Sequence, residues 1–111
     1  MRSYRIDEML PEQAAGLFAR LQQDLGPGPM QGIIWIQLPS GLLTPQQLGH
    51  LDSCGPYILS LEAGSTWIQL ELLVRARQTF RCDCIGFATP EQRAYGIGVV
   101  DQAVLDLGLG V

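Results

Sequence analysis

Hydrophobic and polar positions change period several times along the chain, and each change predicts an element. Ala14, Leu17, Phe18, Leu21 and Leu25 recur at helical spacing behind Pro11, which suits a first helical turn because its missing N–H costs nothing there. Gly26-Pro27 stops that helix, and a short strand over Ser3 to Glu8 precedes it. Gly32 to Pro39 carries Ile33, Ile34, Trp35, Ile36 and Leu38 almost without interruption, the pattern of a central strand covered on both faces. Thr44-Pro45-Gln46-Gln47 opens a second, short helix with the grammar of a capping box, and Gly55-Pro56 ends it.

From Tyr57 onward the period becomes two. Tyr57 to Ala63, Thr66 to Ala76 and Thr79 to Ala88 read as three strands joined by Gly64-Ser65 and Arg77-Gln78. A two-residue turn at Gly64-Ser65 places Leu61 opposite Ile68, Leu59 opposite Leu70 and Tyr57 opposite Leu72, all on one face, with Glu62 opposite Trp67 on the other. The register of the next pair is open by two residues, and facing Glu71 with Arg81 is better than facing it with Asp83. Thr89-Pro90-Glu91-Gln92 then repeats the helix-start grammar, Ile97, Val100, Val104 and Leu107 form the buried stripe, and Gly108 closes the helix. Gly96 and Gly98 within it predict close approach to a neighbouring element, since each costs about 1 kcal/mol relative to alanine.

The element order is β-α-β-α-β-β-β-α. It predicts an α+β fold built on one mixed sheet of four to five strands, with helices packed mainly on one face and residues 1–111 forming a single domain. Parallel pairing of the second and third strands would require a right-handed crossover.

Composition narrows the chemistry. Of 111 residues 47% are hydrophobic and 16% charged, a globular balance. The net charge of −4 argues against nucleic acid or an anionic membrane as partner. All seven basic residues are arginine, so Schiff-base and P-loop lysine chemistry are absent. Met1 to Glu8 lacks the apolar core of a signal peptide, and no run approaches the ~18 apolar residues of a membrane span. With three cysteines, an odd number, the expected address is the reducing cytoplasm, without a disulfide framework.

The cysteines and the one histidine form the candidate chemical cluster. His50 and Cys54 are four apart and share a helix face; Cys82 and Cys84 are two apart and share a strand face. Three thiols and one imidazole match a structural zinc set, although the 27 residues between Cys54 and Cys82 give no standard zinc spacing. The same residues also read as core packing, because Cys82 and Cys84 alternate with Arg81 and Asp83 as in a half-buried strand. A disulfide between strand positions two apart is disfavoured by its need for Cβ atoms within ~4.5 Å.

No G-x-S-x-G elbow, H-E-x-x-H, EF-hand loop or strand-linked G-x-G-x-x-G occurs, so a non-enzymatic role is the expectation. The remaining enzyme reading would need an apolar pocket with Arg75 or Arg81 as anion anchor. On the outer sheet face the strand pattern gathers large apolar residues, notably Trp35, Trp67, Leu73, Ile85 and Phe87, which predict a contact surface. The first reading is therefore a small binding or assembly module, with a homodimer or another protein as partner and no cofactor. The alternative is a zinc-binding domain through His50, Cys54, Cys82 and Cys84.

Overall fold

Three helix starts use one device. In the computed structural model, which describes residues 2–111, α1 (Pro11–Leu25), α2 (Pro45–Gly49) and α4 (Pro90–Asp106) each begin at a proline, two residues before a glutamine at the third helical position. Gln13, Gln47 and Gln92 turn back so that Oε1 accepts the N–H of Leu10, Thr44 and Thr89 respectively. At Thr44 and Thr89 the hydroxyl returns the bond by accepting the N–H of Gln47 and Gln92, completing reciprocal capping boxes. The short α3 (Leu51–Cys54) follows α2 across a break at His50 (φ −103°, ψ 8°), where one expected helix becomes two.

The sheet contains β1 (Ser3–Ile6), β2 (Ile33–Gln37), β3 (Tyr57–Ala63), β4 (Ile68–Glu71), β5 (Leu73–Ala76) and β6 (Gly86–Phe87). Every pairing is antiparallel. β3 lies at the centre with β2 on one side and β4 and β5 on the other; β1 borders β4, and β6 borders β5. The α+β class matches the sequence expectation, while the sheet is antiparallel with six strands instead of mixed with four or five. β2 and β3 are neighbours, but they run antiparallel, so no crossover joins them.

Three local expectations are corrected. Residues 64–67 close the β3–β4 hairpin as a four-residue loop, with the Gly64 N–H donating to the Trp67 carbonyl. The register is therefore Ala63 opposite Ile68 and Leu61 opposite Leu70, two residues from that of a two-residue turn. Side-chain faces survive because the shift is even. Second, the strand expected to Ala76 breaks at Leu72, whose N–H donates to the Arg2 carbonyl and whose carbonyl accepts from Ala88. Between the pairs Leu61–Leu70 and Ile58–Arg75, β3 has two residues and the opposite strand four. That bulge bends the strand and sets β1 and β6 end to end along its far edge. Third, only Gly86 and Phe87 of the expected Thr79-to-Ala88 strand are in the sheet; Glu71 consequently pairs with Arg75, not Arg81.

One face of the sheet builds the core. Ile34, Ile36, Leu59, Leu61, Ile68, Leu70, Leu72 and Val74 are fully buried beneath Ala14, Leu17 and Leu21 of α1 and Val100 of α4. Each such aliphatic side chain contributes roughly 1.5–3 kcal/mol on removal from water. Gly96 brings α4 against the sheet as expected: a Cβ there would lie 2.6 Å from Leu59 Cδ1, whereas Gly98 has open space around it. Leu107, expected in the buried stripe, is exposed, and Ala103 takes its place.

No described helix is long and apolar enough to cross a membrane.

Candidate metal centre

The ligand set comes from two local structures at one end of the sheet. The break at His50 bends the α2–α3 segment, yet the Cys54 N–H still donates to the His50 carbonyl at 2.8 Å, so both side chains leave the same face. Opposite them, Cys82 and Cys84 occupy a turn rather than a strand. The Ile85 N–H donates to the Cys82 carbonyl at 3.0 Å, folding Cys82-Asp83-Cys84-Ile85 back on itself. An extended strand would carry the two sulfurs along its axis; this turn converges them.

One nitrogen of His50 and the sulfurs of Cys54, Cys82 and Cys84 all lie within 4.8 Å of one another, with His50 Nδ1 3.1 Å from Cys82 Sγ. Bond lengths of ~2.1 Å to nitrogen and ~2.3 Å to sulfur put the ligand atoms of a tetrahedral zinc site about 3.5–3.8 Å apart. The four groups are thus within about an ångström of that arrangement. Cys54 and Cys84 are buried; His50 and Cys82 are half-buried and form its solvent side.

The two turn thiols have opposed environments. Cys82 is lowered to about 7, first by the Cys84 backbone N–H aimed at its sulfur, then by the Cys84 side chain, with smaller help from His50 and Cys54. Cys84 is raised to about 11, chiefly by burial. Burial likewise pushes the Tyr57 phenol up, and its O–H donates to the Gln47 carbonyl at 2.9 Å.

A polar ring holds both ligand-bearing segments. The Gln78 amide nitrogen donates to the carbonyls of Asp52 and Gly55, and the Gln78 N–H to that of Cys54, tying the end of α3 to the loop that leads into Cys82. On the other side Gln47 Nε2 donates to the Cys84 carbonyl at 3.4 Å. Gln47 Oε1 in turn accepts from Gln92 Nε2 at 2.9 Å, and Gln92 Nε2 also donates to the Leu42 carbonyl at 2.8 Å. The two capping-box glutamines are buried and bonded to each other. In the sequence they stand as two copies of Thr-Pro-x-Gln, but helix-start chemistry alone accounts for that recurrence, and it leaves their pairing and their contact with a cysteine unannounced.

Trp35, Trp67 and Phe87 each lie beneath an arginine: Arg77, Arg5 and Arg2, with guanidinium carbons 4.7, 4.4 and 4.8 Å from the ring centroids. Leu73 and Ile85 are half-buried. Arg75 is bonded to Glu71 through two nitrogens, at 2.7 and 3.2 Å. The concavity of about 340 Å³ beside it is lined by Trp35, Ile58, Arg77, Phe80 and Ile85 among others, with no carboxylate or imidazole in its wall. Arg81 does not line it.

Compared with known proteins, the chain matches no family model, no curated protein and no solved structure. Fold and site together define its class: an α+β domain with an antiparallel sheet and a compact histidine–cysteine cluster able to accommodate a metal ion.

Proposed function

We propose that this protein is a zinc-binding domain in which His50, Cys54, Cys82 and Cys84 hold one ion in a closed, structural set. The observation that carries this reading is the mutual approach of all four ligand atoms to within 4.8 Å, from two segments far apart in the chain. Borderline-soft Zn²⁺ suits three thiolates and an imidazole, and four protein ligands leave no position for a reacting water. The ion's role is to clamp the end of α3 to the loop between β5 and β6, which has little ladder pairing of its own. Protein purified without chelator is expected to contain one zinc per chain by elemental analysis, and Cys54→Ser or Cys84→Ser to lose it. Absence of stoichiometric metal from correctly folded wild-type protein would sink the reading.

A second reading is docking of a second copy or another protein on the outer face. Arginines stack on Trp35, Trp67 and Phe87 of that face, and the reading is supported by the two phenylalanines left in water, Phe87 at 52% exposure and Phe80 at 100%, the latter beside the groove of Trp35, Ile58 and Ile85. Light scattering coupled to size exclusion tests the homodimer form: a dimer that Phe80→Ser dissociates favours it, and a monomer at all concentrations removes it.

A further inference from the structure

We infer that Gln92, whose side-chain hydrogen bonds go to Thr89, Leu42 and Gln47 and to none of the four ligand side chains, is a positioning residue for Cys84 and acts through Gln47. The inference rests on the metal-binding reading and extends it to a residue on a different helix.

The amide of Gln47 has one possible orientation. Two donors converge on its Oε1, the Thr44 N–H at 3.0 Å and Gln92 Nε2 at 2.9 Å. Because both can only donate, they fix which end of the amide is oxygen. The remaining end, Nε2, must then face the Cys84 carbonyl. A flipped amide would present oxygen to that carbonyl, acceptor against acceptor, and push it away. The Cys84 carbonyl belongs to the turn that converges the two sulfurs, so its orientation and the aim of Cys84 Sγ are linked through one peptide unit.

Gln92 is itself immobilised. It is 0% exposed, its Oε1 accepts the Thr89 N–H at 3.0 Å, and its Nε2 is shared between Gln47 Oε1 and the Leu42 carbonyl. Every polar atom of its side chain therefore has a partner, and its orientation is as fixed as that of Gln47. Groups that orient ligands in this way typically change metal affinity by 10–100-fold when removed.

Three variants test the inference, with Co²⁺ and Zn²⁺ as probes, competition against a chelator for affinity, and the thiolate-to-cobalt absorption bands as a site readout. Gln92→Met keeps length and volume while removing both donations and the acceptor of the Thr89 N–H. Gln47→Glu leaves the acceptor for Thr44 and Gln92 and replaces the donor that faces Cys84, so it isolates the last link without disturbing the docking of α4. Both are expected to weaken zinc binding about 10–100-fold and to shift the cobalt bands. The double variant is expected to be no weaker than Gln47→Glu alone, because Gln92 acts only through Gln47. Unchanged affinity and spectrum in Gln47→Glu would overturn the inference, as would additive losses in the double variant. So would a Gln92→Met protein whose thermal stability falls equally with and without metal at constant affinity. Should Gln92→Met not fold, Gln47→Glu alone decides. Wild-type protein that binds neither ion removes the metal reading itself and this inference with it, an outcome distinct from normal wild-type binding with unaffected variants.

Discussion

Gly96 and Gly98 stand two residues apart in α4 and have opposite meanings. A methyl group at Gly96 would meet Leu59 Cδ1 at 2.6 Å and Leu70 Cδ2 at 3.0 Å, and both leucines are fully buried. Gly96→Ala is expected to destabilise the protein by about 1–2 kcal/mol, overpacking exceeding the gain in helix propensity. Gly98 is exposed with nothing within 4 Å, so Gly98→Ala is expected to stabilise by about 0.5–1 kcal/mol. Urea denaturation reads the opposite signs directly. Tyr4 offers a pH-dependent counterpart. Its hydroxyl donates to Asp101 Oδ1 at 2.5 Å, and this bond first, then burial, raises the phenol from 10.0 to about 12. A group whose folded pKa is raised contributes stability in full below pH 10 and loses it as the pH climbs toward 12. Tyr4→Phe is expected to flatten that alkaline decline in denaturation midpoints. At this scale the sequence told that close approach was needed somewhere near Gly96 and Gly98, but not which glycine made it, because that depends on the angle at which α4 crosses β3 and β4.

The elements were legible where their causes are local. Thr-Pro-x-Gln marks a helix start from four consecutive residues, and period-two alternation put the correct side chains inward from Tyr57 to Ala76. Register was not legible from Gly64-Ser65, because the loop is set by Trp67. A Cβ on Gly64 would fall 2.3 Å from the indole nitrogen, which shows how closely the ring lies over the loop. Gly64→Ala is therefore expected to displace Trp67 from Arg5 and change its fluorescence, a readout specific to this hairpin. Arg81-Cys82-Asp83-Cys84 failed for a different reason. Its alternation imitates a strand, while its turn is defined by convergence on His50 and Cys54, residues about thirty positions earlier. The identities of the four candidate ligands could be read from the sequence; the fold of the segment carrying two of them could not.

For the whole molecule, a metal ion held at this convergence would link metal and fold. If one ion bridges α3 and the loop after β5, its free energy of binding is folding free energy. Chelation is expected to lower the thermal midpoint by roughly 10 °C or more, since ~2 kcal/mol corresponds to about that shift in a domain of this size. Added Zn²⁺ should restore it, and no effect of chelator on metal-loaded protein would contradict the linkage. The outer face behaves by other rules. Its three guanidinium stacks shield part of the aromatic area while leaving charge at the surface. The bulge at Leu72 has a consequence that reaches beyond the single folded chain. It divides one sheet border between β1 and the two residues of β6, and β6 follows directly from the cysteine turn. Loss of that turn would unzip half the border and leave the backbone of Leu73 to Ala76 open to a strand from another molecule. On the zinc-binding reading, demetallated protein should consequently scatter light in a concentration-dependent way before it unfolds globally, the ion then serving as a guard against aggregation.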